Sequence, residues 1–359
     1  MLEHIEIKCV RNLAALELSF AGGATALFGA NGSGKTSFLE AVHLLGVGRS
    51  FRTHQSKPVI QHDAASCRVV GRMNRAGRPF VMGIEKHRDG QVRARVDGEP
   101  IPSLSELAQQ LPLVLLDTDG LTLLTGPPEG RRRLLDGTLF HVEHAFLGLW
   151  KRYAHSLRQR NSGLRHGILA SDKAWRQELA DTGERLTQVR LSVVERYAEK
   201  LKQLAIAISP DLAEVEMAFR AGWDRRESLH AALEKSAQSD AAQGFTQVGP
   251  HRADLRFSAG GRGAAAEVLS RGQMKLLLVA LKLAQGQIIE ETCSVQPLYL
   301  IDDLPAELDE SHCASVCAQL RGGRQVIMTA VDRASLERAW GDEPMNLFHV
   351  EQGRVRPSE

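Results

Sequence analysis

Long apolar runs, paired cysteines and a strong net charge are all missing from this sequence of 359 residues. The most apolar stretch, Met274 to Leu283, is interrupted by Lys275 and Lys282, and it is shorter than the roughly 18 to 20 residues that a membrane span requires. The first ten residues alternate apolar and polar side chains, which indicates a strand and not the apolar centre of a secretory signal. We therefore expect a cytoplasmic protein without a membrane partner.

The five cysteines are scattered and lack the Cys-x-x-Cys spacing that a zinc site shows, so we expect reduced thiols. His312, Cys313 and Cys317 could share one face of a helix as metal ligands. No second pair of ligands accompanies them in the sequence, and packing in a core is the interpretation that the pattern favours.

The formal net charge is only +2, so nucleic acid can be attracted only where basic residues cluster. One cluster spans residues 131–166, where eight Lys and Arg stand against Asp136 and Glu143. Its basic residues are the candidate DNA contacts: Arg131, Arg132, Arg133, Lys151, Arg152, Arg158, Arg160 and Arg165. The cluster indicates either contact with DNA phosphates, weakened by salt, or a solvated helix face. Few aromatic residues accompany it, which favours the backbone of duplex DNA over the bases of single strands.

The chain carries a phosphate-binding loop (P-loop) of the form G-x-x-x-x-G-K-[ST], from Gly29 to Thr36. The apolar run Thr25–Phe28 precedes it and helical spacing from Ser37 to Leu45 follows it, which is the strand, loop and helix that the motif requires. In such a loop backbone N–H groups converge on phosphate oxygens, the lysine reaches the β and γ phosphates as a catalytic group, and the last hydroxyl binds magnesium. We predict that ATP and Mg²⁺ are bound by Gly29, Ala30, Asn31, Gly32, Ser33, Gly34, Lys35, Thr36 and Ser37.

Two carboxylates follow an apolar strand later in the chain. Pro297–Ile301 and Gln325–Thr329 are continuous in apolar residues, which is typical of buried parallel strands. Asp302 is predicted to hold magnesium together with Thr36, and Asp303 to polarise the water that attacks the γ phosphate. The residues alone also allow a simpler interpretation, in which the two acids stabilise the start of a helix.

A short polar segment, Ser270-Arg271-Gly272-Gln273, lies directly before an apolar helix. Ser270 is placed as the N-cap of that helix, and the next residues leave its first backbone amides open, so the segment is suited to bind an anion. Because the P-loop already surrounds the phosphates, this segment could bind the γ phosphate of a nucleotide held by another subunit. A simple capped helix is the alternative that the residues leave open.

The predicted elements divide the chain into an α/β part formed by both ends and a mainly helical part between them. Residues 1–102 contain the P-loop and a small antiparallel sheet at about 67–101, with a hairpin turn at Asp97-Gly98. Residues 103–244 are rich in helix formers, with apolar residues at three- and four-residue spacing. Residues 245–359 return to strands, and we expect their Gly- and Ala-rich stretch at 259–266 to be a flexible loop.

Together these motifs resemble the ABC-type ATPase head that SMC proteins and the RecF family share. The residues that carry the resemblance are the P-loop with Asn31, the signature Ser270, Gly272 and Gln273, the pair Asp302-Asp303, and Glu307-Leu308-Asp309. Lys35 precedes Ser270 by 235 residues, which is long for a transporter ATPase and far too short for the coiled-coil arms of an SMC protein. The segments that further resemble the RecF family are Arg11-Asn12, Gly48–Arg52, Gly126–Asp136, Gly249–Leu255 and Leu269–Lys275.

The resemblance implies a P-loop NTPase of the α/β class, an ABC/SMC-like head with an inserted, mainly helical lobe. It implies an ATP-induced homodimer in which the signature of one subunit completes the ATP site of the other, with Arg11 and Asn12 at the nucleotide and Glu307 and Asp309 in the D-loop. The implied activity is weak, DNA-stimulated ATP hydrolysis on gapped or double-stranded DNA in replication, repair and the SOS response, with RecO and RecR as partners in loading recombinase at single-strand gaps. An SMC-like or transporter-type ATPase subunit that works with a separate partner protein is the alternative.

Three positions depart from the family pattern. Val10 stands where an aromatic residue is frequent, and Pro305-Ala306 replaces the usual residues before the D-loop. Thr329-Ala330 lacks the histidine that follows this strand in related ATPases, which leaves the sensor of the γ phosphate unassigned.

Overall fold

A computed structural model of the protein describes residues 1–53 and 55–358. Its internal contacts divide the chain into two compact units. The first, which we name the terminal unit, consists of Met1–Asp119 and Ile289–Glu359. The second, the central unit, consists of Gly120–Ile288.

The terminal unit combines two groups of strands with helices, and helices dominate the central unit. The strands are β1 (Leu2–Val10), β2 (Leu13–Ser19), β3 (Ala24–Phe28), β4 (Ser66–Arg75), β5 (Arg78–His87), β6 (Val92–Val96), β7 (Glu99–Pro100), β8 (Leu113–Leu116), β9 (Val215–Arg220), β10 (Asp254–Ala259), β11 (Leu298–Ile301), β12 (Val326–Ala330), β13 (Met345–Glu351) and β14 (Arg354–Pro357). The helices are α1 (Lys35–Val47), α2 (Leu104–Gln110), α3 (Thr122–Thr125), α4 (Pro128–Val142), α5 (Phe146–Arg165), α6 (Asp172–Ile208), α7 (Leu229–Gln243), α8 (Ala265–Val268), α9 (Arg271–Cys293), α10 (Leu304–Glu307), α11 (Glu310–Ala318) and α12 (Arg333–Trp340). Within residues 1–53 and 55–358, no helix combines the length and the apolar character that crossing a bilayer demands.

The mixed sheet of the terminal unit has the strand order β14-β13-β3-β12-β11-β8. All neighbours from β13 to β8 are parallel, and only the edge strand β14 runs antiparallel to its neighbour. The predicted parallel strands at 297–301 and 325–329 are confirmed as β11 and β12, which pair directly. Their near-complete burial explains the continuous apolar runs, because both faces of such a sheet are covered.

A second sheet of the terminal unit is antiparallel, with the order β2-β1-β4-β5-β6-β7. The antiparallel strands predicted at 67–101 are confirmed, and the sheet also includes the first two strands of the chain. Asp97 and Gly98 both have positive φ, of 50° and 84°, and they form the predicted tight turn between β6 and β7.

Helix α1, which follows the P-loop, contacts strands of both sheets. It is buried on nearly every side, and its fully buried apolar residues are Phe38, Leu39, Ala41, Val42, Leu44 and Leu45. Each of these side chains except the small Ala41 contributes roughly 1.5–3 kcal/mol by leaving water. The start of α1 is therefore fixed by the core of the terminal unit.

The central unit is built around the long helix α6, which packs against α5, α4 and α7. Strands β9 and β10 form an antiparallel pair in the same unit. Arg160 is the largest fully buried side chain among the described residues, and its guanidinium donates to Asp172 at 2.9 Å and to Asp240 at 2.7 Å. Buried ion pairs thus accompany apolar packing in this unit.

The boundaries between the two units differ from the predicted ones. Residues 103–119 belong to the terminal unit, because β8 pairs with β11 as the last strand of the mixed sheet. Residues 245–288 belong to the central unit, because β10 pairs with β9 from the segment predicted to be helical. The stretch at 259–266 is shorter as a loop than predicted, since α8 begins at Ala265 and Ala264 bridges to Ser258.

Candidate nucleotide-binding site

The P-loop connects the carboxyl end of β3 to the start of α1, at the edge of a parallel sheet where ligands of α/β proteins bind. Gly29 has a φ of 155°, and a Cβ there would lie 2.2 Å from the carbonyl oxygen of Val350. Gly34, with a φ of 122°, directly precedes α1. Glycine at both positions therefore lets the loop approach its support and direct the amides of α1 toward an anion.

The Lys35 ammonium lies inside the P-loop, where the phosphates of a nucleotide would bind. It donates to the carbonyl oxygens of Gly29 at 2.6 Å and Ala30 at 3.1 Å. Desolvation lowers the pKa of Lys35, while the nearby charges of Asp303 and Asp302 oppose that shift. The two carbonyl groups are neutral acceptors. The phosphates of a nucleotide would give this buried cation a negatively charged partner.

Oxygen atoms from three elements converge beside the lysine. The Thr36 hydroxyl donates to Asp302 Oδ1 at 3.0 Å, and the hydroxyl of Thr329 on β12 donates to the same oxygen at 2.8 Å. A hydroxyl and one carboxylate fit a magnesium ion that takes its remaining ligands from phosphates and water. No cluster of three or more His, Cys, Asp or Glu able to hold a metal exists among the described residues, so a metal held by protein ligands alone does not fit.

Asp303 stands in an unusual backbone conformation next to this cluster. Its φ and ψ are 50° and 43°, and its backbone N–H donates to the Thr329 hydroxyl at 3.1 Å. Burial raises the pKa of Asp303, and the charge of Lys35 opposes the shift. A carboxyl with a raised pKa is a stronger base than an ordinary aspartate, which suits a group that polarises water.

Thr329 was not predicted to be part of the site, although the missing histidine at this point of the sequence drew attention to it. The structure shows that it connects Asp302, Asp303 and the end of β11 through one buried hydroxyl. A threonine in a strand is usually a packing residue, so only the tertiary structure reveals this role.

Replacing Thr329 by Val should lower the rate of ATP hydrolysis at least about tenfold, because the hydrogen bonds by which its hydroxyl orients Asp302 and Asp303 are lost and the shape is kept. ATP affinity should change less than the rate. Steady-state ATPase assays and nucleotide titration measure the two quantities, and Thr329→Ser, which keeps the hydroxyl, is the matched control. A Thr329→Val protein that hydrolyses ATP at the normal rate would show that the hydroxyl does not position the acids.

Arg11 and Asn12 are held against the loop by a polar network. Asn12 donates to the Gly32 carbonyl at 3.1 Å and accepts from the Ser37 hydroxyl at 2.8 Å. Arg11 forms two hydrogen bonds of 2.8 Å with the carboxylate of Glu40. Glu40 was not predicted to belong to the site. It is fully buried in α1, and it holds the Arg11 side chain in place.

A cavity of about 740 Å³ contains most of the predicted nucleotide residues and several that were not predicted. The predicted lining residues are Arg11, Asn12, Asn31, Gly32, Gly34, Lys35, Thr36, Ser37, Asp302 and Asp303. The additional ones are Arg52, Lys57, Pro58, Ile60, His62 and Arg88. Arg88 donates to the carbonyls of Ala64, Gln61 and His62, so it fixes one wall of the cavity. The size and the basic lining suit a nucleoside triphosphate.

Two predicted P-loop residues play supporting roles. Ala30 accepts from the backbone N–H of Ser33 at 3.1 Å, and the Ser33 carbonyl accepts from the N–H of Gly353 at 2.7 Å. The Ser33 hydroxyl is buried without a hydrogen-bond partner among the described residues. Gly353 lies in the turn between β13 and β14, so the hairpin formed by these two strands supports the P-loop through this hydrogen bond.

The signature segment begins α9 with a reciprocal cap. The Ser270 backbone N–H donates to the Gln273 side chain at 2.9 Å, and the Gln273 N–H donates to the Ser270 hydroxyl at 3.2 Å. Ser270, Arg271 and Gly272 are exposed. The cap interpretation and the anion interpretation are thus compatible, because one Ser270 lone pair is used and the hydroxyl proton stays available.

The two predicted D-loop residues lie at the ends of neighbouring helices. Glu307 is the last residue of α10, and Asp309 is the N-cap of α11. The N–H of His312 and the hydroxyl of Ser311 donate to Asp309, and these bonds hold the pKa of its carboxyl well below the usual range. Asp309 therefore carries a negative charge at the start of α11.

The structure corrects the predicted DNA contacts at two positions. Arg131 is buried and donates to Asp254 at 2.7 Å, and Arg160 is enclosed by Asp172 and Asp240. Both charges are neutralised inside the central unit, so neither side chain is available to a DNA phosphate. Sequence spacing could not show this, because most of the acidic partners lie far along the chain.

The other predicted DNA contacts are more accessible. Arg132 donates to the Ala253 carbonyl at 2.8 Å and is only partly exposed. Arg133 and Arg152 form exposed ion pairs with Glu129 and Glu178. The remaining members, all exposed, are Lys151, Arg158 and Arg165.

The cysteines of α11 are packing residues, as the sequence pattern favoured. Cys313 and Cys317 are buried, and burial raises the pKa of their thiols to about 11 and about 12. His312 pairs with Asp309 and does not join a metal cluster within the part of the chain that the structure describes.

The parallel sheet, the P-loop and the paired acids at the end of β11 define an ATPase head of the kind found in SMC proteins. The RecF/RecN/SMC N-terminal domain family matches residues 1–356. The chain belongs to the RecF family of DNA replication and repair proteins. It is 42% identical over 359 residues to the DNA replication and repair protein RecF of Stutzerimonas stutzeri (strain A1501), covering 99% of this chain and 96% of the relative. It is 43% identical over 360 residues to RecF of Pseudomonas aeruginosa (strain LESB58), covering 99% of this chain and 97% of that relative.

Solved structures agree with this assignment. The recombination mediator protein RecF-ATP of the RecFOR pathway is 25% identical to this chain, with a TM-score of 0.88, and the match covers 100% of this chain and 97% of that one. An Smc head bound to the C-winged-helix domain of ScpA shares the fold, with a TM-score of 0.60, 17% identity and coverage of 99% and 97%. The predicted fold class and family are confirmed.

Proposed function

We propose that this protein is an ATP-switched DNA-binding protein that closes as a homodimer and hydrolyses ATP slowly, with DNA stimulating hydrolysis. The observation that supports the proposal most strongly is the convergence of Lys35, Thr36, Asp302 and Asp303 in one cavity of about 740 Å³. The exposed signature at Ser270 also supports it, because an exposed anion-binding helix start can receive the phosphate of a nucleotide held by a second copy.

In this proposal the residues of the chain divide the chemistry among them. Lys35 and the amides of the P-loop would bind the phosphates, and Thr36 and Asp302 would hold the magnesium ion. The ion would neutralise charge on the β and γ phosphates. Asp303 accepts a hydrogen bond from the attacking water and takes up its proton as the water oxygen bonds to the γ phosphorus. The bond from that phosphorus to the β–γ bridging oxygen breaks in the same step, and ADP leaves. Thr329 keeps both acids in place.

ATP bound between two copies of the chain would stabilise the dimer, and hydrolysis would allow the two copies to separate. Slow turnover suits such a timing role, since the closed state then lasts long enough to hold DNA. DNA contacts on the central unit would come from the accessible predicted residues, Arg132, Arg133, Lys151, Arg152, Arg158 and Arg165. With the relatives of the RecFOR pathway as the precedent, RecO and RecR are the proposed partners in loading recombinase at single-strand gaps of cytosolic DNA.

The proposal predicts that two substitutions cause different defects, one in ATP binding and the other in dimer formation. Lys35→Ala should abolish ATP binding, and Ser270→Ala should keep ATP binding by the monomer but prevent the ATP-dependent dimer. Analytical ultracentrifugation with and without ATP, together with nucleotide titration, measures both effects. Ser228→Ala is the matched control, because Ser228 also caps a helix, accepting from the Ala231 N–H, and its loss costs about the same 0.5–2 kcal/mol. Normal dimers of Ser270→Ala would show that the signature does not act across subunits.

A further inference from the structure

The outer face of the antiparallel sheet in the terminal unit carries a concentration of arginine that the sequence did not reveal. Side chains alternate along each strand, and the inward residues, such as Val69, Ile84 and Ala94, are buried in the core. The outward positions of β4 and β6 include Arg68, Arg72, Arg93 and Arg95, all of them exposed.

Three of these arginines lack a counter-charge. Arg72 lies 3.8 Å from Glu6, but the guanidinium groups of Arg68, Arg93 and Arg95 form no ion pair or hydrogen bond with any described residue. Glu85 lies between Arg68 and Arg93 in the strand register, and its carboxylate instead accepts from the Ser66 hydroxyl at 3.1 Å and approaches His87 at 3.6 Å. We name Arg68, Arg93 and Arg95 the arginine face.

The arginine face surrounds a depression of about 370 Å³. Gly83 of β5 forms its floor, because this residue lies opposite Arg95 on one side and Val70 on the other and has no side chain to fill the space. Arg68 and Arg93 stand on strands two apart, roughly 10 Å from each other across the sheet. Guanidinium groups so placed can bind several phosphates of one backbone at once.

We propose that the arginine face binds the phosphate backbone of duplex DNA. The inference rests on the proposed function, and it adds to that function a DNA-contacting surface on the terminal unit. Exposed, unpaired guanidinium groups are well suited to phosphate, which they bind through two parallel hydrogen bonds. The residues that line the depression include no aromatic side chain on which a base could stack, which selects duplex backbone over single strands.

The test is a fluorescence-anisotropy titration of a labelled duplex of about 30 base pairs in the presence of ATP. The triple variant Arg68→Ala, Arg93→Ala, Arg95→Ala should bind about 30-fold more weakly at low salt, and the slope of log K against log salt should fall by about 2 to 3. Glu85→Gln should bind more tightly than the wild type, because it removes the one carboxylate among the described residues that line the depression.

The matched control removes the same charge from exposed positions of α6: Lys173→Ala, Arg185→Ala and Lys202→Ala. It should bind DNA nearly as the wild type does, and all variants should keep ATP binding and thermal stability. A wild-type protein that binds the duplex, alongside an arginine-face variant that binds equally well, would overturn this inference and leave the proposed function intact.

A wild-type protein that binds no DNA would instead contradict the proposed function itself, and the inference would fall with it. Equal loss of affinity for the duplex and for its isolated single strand would overturn the choice of duplex DNA. A loss confined to the duplex supports it.

Discussion

Replacement of Asp303 by Asn is expected to reduce ATP hydrolysis by two to four orders of magnitude while ATP binding persists. Asn keeps the size of the side chain but cannot accept the proton of the attacking water. The Lys35 ammonium and the P-loop stay in place, so the nucleotide should still bind and the ATP-dependent dimer should become longer lived. Single-turnover hydrolysis and ultracentrifugation measure the two effects.

Asp302→Asn is the comparison for this experiment. Asp302 accepts hydrogen bonds from the hydroxyls of Thr36 and Thr329, and it is proposed to hold magnesium. Its main defect should be a higher magnesium requirement, whereas Asp303→Asn should need the normal magnesium concentration. If the two variants share one defect, the separate roles assigned to the acids are wrong.

The pH profile offers a second measure of Asp303. Its pKa is raised above the ordinary aspartate value because burial disfavours the charged form. The base is active only when deprotonated, so hydrolysis should fall as the pH drops through this raised pKa, before an exposed aspartate would protonate. A pH–rate profile that stays flat down to the ordinary range of aspartate would contradict the assignment.

Replacement of Arg160 by Met is expected to lower the free energy of unfolding of the central unit by about 3–5 kcal/mol. The carboxylates of Asp172 and Asp240 would then lie beside an apolar side chain, and Asp240 would remain fully buried. Urea denaturation followed by tryptophan fluorescence reports this change, because Trp150, Trp175 and Trp223 belong to the central unit.

Arg158→Met is the matched control, since Arg158 is exposed on the same helix two residues earlier. It should change stability by less than about 0.5 kcal/mol. Equal stability of the Arg160 and Arg158 variants would mean that the buried ion pairs contribute nothing. The comparison also separates folding from DNA binding for the cluster at residues 131–166.

Local patterns predicted the elements around the nucleotide well. The apolar run before Gly29, the glycines of the loop and the helical spacing after Ser37 depend only on neighbouring residues, and the structure has β3, the loop and α1 at these places. The continuous apolar runs of β11 and β12 likewise indicated parallel strands. Such features could be predicted because each is encoded within one short segment.

The features that escaped prediction depend on residues distant in the sequence. Strand β8 has only four residues, and it is recognisable as part of the sheet only through its pairing with β11. The burial of Arg131 depends on Asp254, more than a hundred residues later. Thr329 and Glu40 belong to the site through contacts that only the folded chain creates.

The position of β3 between β12 and β13 has a consequence for how the protein is made on the ribosome. Both neighbours of the P-loop strand are synthesised about 300 residues after it, and Gly353, which supports Ser33, comes later still. The nascent chain must therefore carry an unpaired apolar strand while the residues between β3 and its two neighbours are synthesised, which exposes it to misassembly and to chaperones. A chain released before β13 is complete would lack the support of its P-loop, so truncated products should not compete for ATP.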